Sequence, residues 1–191
     1  MAKSFRELIG VQPSTASTKD SVLVIIDAQN EYANGHLKTS NVASTRKAIS
    51  ALLEKYRAAS APLVHIVHET PAGAPVFTPA TDLAKEFAEL EPTSSEKVLR
   101  KQHPGSFTGT ELDTYLKSTG RNKVVLVGYM AHVCVSTTAR QAAEKGYDVV
   151  IAEEAVGDRD IPGASAADTV AMTLKELGDA FGTVVKAESI K

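Results

Sequence analysis

The sequence predicts an α/β fold, a three-layer sandwich in which helices cover both faces of a six-stranded, mostly parallel sheet. Two observations carry this. Short apolar, β-branched runs such as SVLVIID (21–27) and NKVVLVGY (122–129) are continuous rather than alternating, as strands buried on both faces must be. Between them stand stretches with apolar residues at helical spacing, and strand–helix alternation implies parallel strands joined by crossovers. At 191 residues the chain is long enough for one sizeable core and short for two. We expect an N-terminal arm over 1–20 and a single domain over 21–191.

The elements follow in order. Residues 1–20 read as an irregular arm with one short helix. After the strand at 21–27, NVASTRKAISALLEKYRAAS (41–60) places Val42, Ile49, Leu52, Leu53 and Tyr56 on one helical face. APLVHIVHE (61–69) is the second strand, and TPAGAPVFTPA (70–80) is a loop of proline and small residues. TDLAKEFAEL (81–90) has the pattern of a short helix opened by a Thr or Asp cap. EKVLRK (96–101) is the third strand, GTELDTYLKSTG (109–120) a helix between glycines, and 122–129 the fourth strand. VCVSTTARQAAEKG (133–146) reads as a helix stopped by glycine. YDVVIAEEA (147–155), SAADTVAMTLKELGDAFG (165–182) and TVVKAE (183–188) complete the set as strand, helix and strand.

Composition narrows the function. A formal net charge of −2 gives no electrostatic reason for a nucleic-acid or anionic-membrane partner. The N-terminal stretch has no apolar core of the signal-peptide kind, and no apolar run approaches a membrane span. The one cysteine, Cys134, has no internal partner for a disulfide, which suits a reducing compartment. We therefore expect a cytoplasmic protein acting on a small-molecule substrate. A dinucleotide site needs a glycine fingerprint after an early strand, and the sequences after the first and fourth strands, AQNEYANGHL and YMAHVC, lack one.

In open parallel sheets ligands sit beyond the carboxyl ends of the strands. The first strand ends at Asp27, the third at Lys101, and the fourth leads through Gly128 to Cys134. Each has an ordinary reading: a turn-capping aspartate, a solvated lysine, a small buried hydrophobe. Each also has a chemical one. A thiol in the first turn of a helix is favoured as thiolate. An aspartate at the sheet mouth can serve as general acid or base. A cation between them would lower the thiol pKa and hold the aspartate charged.

At these residues the chain resembles the isochorismatase-like cysteine hydrolases. The motifs are VIIDAQNEY (24–32), KQHPGSFTGTEL (101–112), GYMAHVCVSTTARQAAEKGYDV (128–149) and VGDRD (156–160), in that order and spacing. The resemblance covers about 21–188 and implies the family's six-stranded Rossmann-like fold with an Asp27–Lys101–Cys134 triad. It also implies a cis bond between Tyr129 and Met130, an oxyanion hole from the Met130 and Cys134 N–H groups, and a homo-oligomer. Substrate contacts are expected from Gln29, Tyr32, His68, Phe77, Phe107 and Tyr129. Two chemistries are compatible: hydrolysis of an amide or carbamoyl C–N bond through a Cys134 thioester, or cleavage of the vinyl ether of isochorismate by Asp27. A non-catalytic binding protein and a thiol redox sensor are the alternatives of another class.

Departures from the family pattern matter too. The nicotinamidases of this family hold a metal after the second strand. Here that region is HIVHETPAGAPVF, and a strand puts His65 and His68 on opposite faces, so we expect no metal and no cofactor. The family's Lys-x-x-x-Ser-x-Phe becomes Lys101 to Phe107 with the serine displaced to Ser106. His103 and His132 lie near the triad in sequence, and Asp158 and Arg159 read as a mutual pair.

Overall fold

The first strand, β1 (Ser21–Ile26), shows how the layers arise. All six residues are buried. Leu23 and Ile25 point into one apolar cluster, while Val22, Val24 and Ile26 point into another, as the two-residue period of a strand requires. The computed structural model describes residues 2–191. The remaining strands are β2 (Leu63–His68), β3 (Lys97–Lys101), β4 (Lys123–Tyr129), β5 (Asp148–Gly157) and β6 (Thr183–Val185). They form one sheet in the order β3-β2-β1-β4-β5-β6, and every neighbouring pair is parallel. The sheet is thus wholly rather than mostly parallel.

Helices α1 (Phe5–Leu8), α2 (Glu31–Asn34) and α3 (Val42–Ala58) precede β2, and α4 (Leu112–Ser118), α5 (Ser136–Glu144) and α6 (Ala166–Ala180) follow β3. Ile49, Leu52, Leu53 and Tyr56 of α3 pack on one face of the sheet. Leu112 and Leu116 of α4, Ala139 and Ala142 of α5, and Leu174 and Leu177 of α6 pack on the other. None of the described helices is long and apolar enough to cross a membrane. Residues before β1 run along α6 and β6: Phe5 N–H donates to Asp179 Oδ1 at 2.9 Å and Ser14 N–H to Thr183 Oγ1 at 2.9 Å.

The order in which strands are added to the sheet reverses between β1 and β4, which both sit in its middle, and the crevice at such a switch point is where α/β folds place ligands. Gly128 of β4 pairs with Ile26 of β1, and its φ is +119°. A Cβ there would lie 2.0 Å from the Ile26 carbonyl oxygen, so only glycine fits.

Two segments differ from the expected pattern. Residues 81–90 form not one helix but two 3₁₀ turns, Asp82–Ala84 and Ala88–Leu90. The backbone between them pairs with the loop after β1: Asn30 N–H donates to Lys85 O at 2.8 Å and Phe87 N–H to Ala28 O at 2.9 Å. Those bonds, with burial of Phe87 and Leu90, outweigh a helical propensity that is a weak prior in any case. The helix expected from 133 opens instead with a π-helical turn, Ala131–Val135, in which Val135 N–H reaches back five residues to Met130 O at 3.1 Å. Such turns recur at functional sites.

Candidate active site

Asp27 follows β1 directly. Its φ of +50° is a left-handed conformation that aspartate tolerates better than most residues, and its N–H continues the ladder to Ile66 O at 2.8 Å. The turn points the carboxylate across the top of the sheet. Lys101, the last residue of β3, lies in register with His68, the last of β2. Its side chain crosses the end of β2 and sets Nζ 2.7 Å from Asp27 Oδ2, both side chains being wholly buried. His68 Nδ1 lies 3.4 Å from the same Nζ. From the other side of the switch point the π turn delivers Cys134, only 6% exposed. Its thiol lies within electrostatic reach of both Asp27 and Lys101. Aspartate and lysine are thus in contact at the strand ends, with Cys134 on the neighbouring turn.

The electrostatics differ from expectation. The thiol is pushed well up, first by burial and then by the Asp27 charge, with the Lys101 charge opposing. Desolvation and the Asp27 charge oppose the thiolate that a helix start favours, while the Lys101 charge supports it. Asp27 is also raised, by burial first, against the lowering influence of the Lys101 charge and of hydrogen bonds from Lys101 and Cys134. Its Oδ1 has no hydrogen-bond partner among the described residues. A buried carboxylate oxygen without a donor is costly, and here that oxygen lies at the sheet mouth.

Three further expected residues surround this group. Tyr32 is buried, and its hydroxyl pKa is raised by burial and then by the charges of Asp27 and Cys134. Phe77 meets the Tyr32 ring edge-on at 5.4 Å and lies 5.0 Å from the His68 ring. His68 is shifted down, chiefly by burial, which favours the neutral imidazole. The Tyr129–Met130 bond is cis. The Met130 N–H enters no turn, loop or cap hydrogen bond among the described residues, while its carbonyl accepts from Val133 and Val135.

Other expectations need correction. Gln29 is fully buried and its amide is committed to backbone: Nε2 donates to His68 O and Ala84 O, and Oε1 accepts from His68 N–H. It ties β2 to the 3₁₀ turn at Asp82–Ala84. The Tyr129 hydroxyl shares a hydrogen bond with Thr45 Oγ1 at 2.6 Å, so this side chain faces α3. Phe107 stacks on Tyr147 at 6.0 Å, beside the end of α5 and away from the strand mouth. Ser106 is buried against Thr138 Oγ1 at 2.8 Å, so the displaced serine anchors its loop to α5. Asp158 does not pair with the Arg159 guanidinium, which reaches Asp160 O. Its Oδ2 instead binds His132 Nδ1 at 2.6 Å. His103 is exposed. His65 and His68 do fall on opposite faces: His65 lies between Glu86 at 2.9 Å and Glu96 at 3.3 Å. No group of three or more His, Cys, Asp or Glu side chains among the described residues is arranged to hold a metal ion.

Sequence reasoning passed over Glu31. It lies inside VIIDAQNEY and is completely buried, its carboxylate accepting Leu37 N–H at 3.1 Å and Phe77 N–H at 3.0 Å. The available signal was Gly35, four residues on, where a Cβ would lie 2.2 Å from Glu31 Oε1.

Comparison with known proteins agrees with this fold. The family described as "Isochorismatase domain" matches residues 21–189. The chain is 63% identical, over 98% of both sequences, to the secreted isochorismatase effector Isc1 of Verticillium dahliae. It is 35% identical to the isochorismatase-like protein asqB of Emericella nidulans, over 100% of this chain and 86% of that protein. The crystal structure of an isochorismatase from Pseudomonas putida KT2440 superposes over 100% of both chains with a TM-score of 0.96 at 30% identity. The match to the isochorismatase domain over residues 21–189 and the 63% identity to a named isochorismatase along nearly its whole length make this chain a hydrolase of the isochorismatase family.

Proposed function

We propose that the protein hydrolyses the vinyl ether of isochorismate to pyruvate and the ring alcohol, with Asp27 as the acid. The observation that carries this reading is the state of Asp27: fully buried, raised in pKa by that burial, and with one oxygen unpartnered. A vinyl ether needs a proton at carbon, and a carboxyl group kept neutral by its surroundings can give one. The 63% identity to a protein named as an isochorismatase supports the same substrate. The proton passes from Asp27 to the methylene carbon, the new C–H bond taking the electron pair of the double bond. Water adds to the resulting oxocarbenium carbon and returns a proton to Asp27. The hemiketal then collapses: the bond to the ring oxygen breaks, that oxygen takes up a proton from Asp27 while the hemiketal hydroxyl gives its proton back, and pyruvate leaves. Lys101 stabilises Asp27 while it is ionised, and Tyr32, His68 and Phe77 shape the space around the substrate.

A second reading uses Cys134, because the thiol adjoins Asp27. Asp27 takes the thiol proton, sulfur attacks an amide or carbamoyl carbonyl, and the oxyanion rests on the Met130 and Cys134 N–H groups. The amine leaves with the proton from Asp27, and water releases the acid from the thioester.

Opposite protonation states of Asp27 start the two reactions, so the pH profile separates them. Vinyl-ether cleavage needs the acid form and slows as pH rises through the Asp27 titration. Thioester formation needs the ionised form and quickens over the same range. Pyruvate release from isochorismate, falling with pH and abolished in Asp27→Asn, is the expected result. Ammonia release from amides, rising with pH and abolished in Cys134→Ala, would replace it with the second reading. The relative's name carries export as well as activity, and we extend both to this chain. Its detection only in cell lysate, never in culture filtrate, would restore the cytoplasmic expectation. We place a homo-oligomer beside this reading, which a monomeric mass by light scattering would remove.

A further inference from the structure

Glu31 takes part in neither reaction, yet its carboxylate is wholly buried and joins two chain segments that close over the mouth. One oxygen accepts from Leu37 N–H and the other from Phe77 N–H. Phe77 is held at φ +48°, the left-handed region that a bulky aromatic avoids, so its backbone needs an external hold. The same residue carries the ring that packs on Tyr32 and His68. Outside that ring lies a cavity of about 300 Å³, lined by Phe77 and His68 together with Thr70, Arg100 and Gln102. Inside it, Asp27 and Lys101 are at most 1% exposed and Cys134 is 6% exposed. The Phe77–His68 ring pair therefore stands between a solvent-connected cavity and the buried reacting groups.

We infer that Glu31 is a positioning residue that latches Phe77 as the roof of the site, and that release of its bond to the Phe77 N–H opens the way from this cavity to Cys134 and Asp27. The latch uses a carboxylate because the two backbone donors meet different oxygens, and an amide would set an NH2 donor against one of them. The inference builds on the proposed function only in making the cavity the substrate's path.

Cys134 is the only cysteine, so its alkylation by iodoacetamide, followed by mass spectrometry, reads roof opening without any turnover. Loss of one charge-assisted bond corresponds to an opening equilibrium about tenfold or more larger, so Glu31→Gln should label at least about tenfold faster than wild type. Phe77→Ala should also label faster, and the double variant no faster than Phe77→Ala alone, because the latch then has no ring to hold. Labelling of Glu31→Gln at the wild-type rate overturns the inference. So does an effect that persists in the Phe77→Ala background, since that is general loosening. If Glu31→Gln does not fold, Gly35→Ala presses on the same carboxylate and faces the same two criteria. Failure of the wild type to release pyruvate would remove the proposed substrate and leave the labelling result to decide the latch.

Discussion

Strand β3 has a carboxylate–cation pair at each end, and the two pairs behave oppositely. Before its start, Glu96 receives Arg57 Nε on one oxygen at 2.8 Å, and Arg57 Nη2 at 2.9 Å and Thr93 N–H at 2.8 Å on the other. Its pKa is held down to about 2, chiefly by the hydrogen bonds from Arg57. At its end, Lys101 gives Asp27 one bond at 2.7 Å, the second oxygen has no partner, and burial moves the pKa the other way. Both acids face a cation, so a cation alone does not decide the outcome. The number of donors on the oxygens, set against the loss of water, does. Where both oxygens are met by donors, the carboxylate is a fixed structural anion. Where one oxygen is left bare in a dry site, burial shifts the balance towards the protonated acid.

The largest expected effect tests the bare end directly. Asp27→Asn keeps the shape and removes the transferable proton, and should lower pyruvate release on the order of 10³-fold, measured with excess isochorismate. Activity within tenfold of wild type would show that the bare oxygen is not the acid. Lys101→Met comes next. It breaks a buried pair, an act that costs on the order of 3–5 kcal/mol, read as a lower urea midpoint. Because the Lys101 charge lowers the Asp27 pKa, its loss should also move the falling limb of the pyruvate profile to higher pH. A limb that stays in place would mean that Asp27 does not control it.

Much of this contrast was legible in the sequence, and its limits are instructive. Asp27 and Lys101 stand out because each ends an uninterrupted apolar run, and a parallel sheet aligns such ends whatever the loops do. The donors that fix each carboxylate are another matter. Thr93 N–H and Arg57 come to Glu96 from a loop and from α3, and no local pattern announces them. Gln29 and Phe107 sit close to Asp27 and Lys101 in sequence, but their partners, His68 and Tyr147, are set by packing between distant elements. The segment 81–90 has helical spacing, yet its backbone found donors and acceptors in the loop after β1. The thiol shows the same limit. Proximity to a helix start was readable, whereas the burial that reverses its effect was not.

Arg57→Met tests the saturated end and should leave turnover unchanged. A depressed carboxylate contributes stability that is present above its ordinary range, near 4.5, and is lost as pH falls towards about 2. The variant should lose about 2 kcal/mol at neutral pH, less than the whole shift implies because Arg57 is partly open to solvent. Its stability should then vary little across that acid window while wild type falls to meet it. Urea unfolding at several pH values checks both statements, and parallel curves would return Glu96 to an ordinary surface pair.

The smallest effect is expected at Cys134. Cys134→Ala removes a neutral, buried thiol. If Asp27 works as an acid on a vinyl ether, the thiol forms no bond with the substrate, and pyruvate release should change by less than about threefold, within the range of a packing adjustment. One hydrogen-bonding interaction that lowers the Asp27 pKa is also lost, so the falling limb should move slightly upward, in the same direction as in Lys101→Met and by less. A loss of pyruvate release as large as that of Asp27→Asn would give the thiol a covalent part in the reaction. The donor count on a carboxylate would then no longer suffice to tell the reactive end of β3 from the structural one.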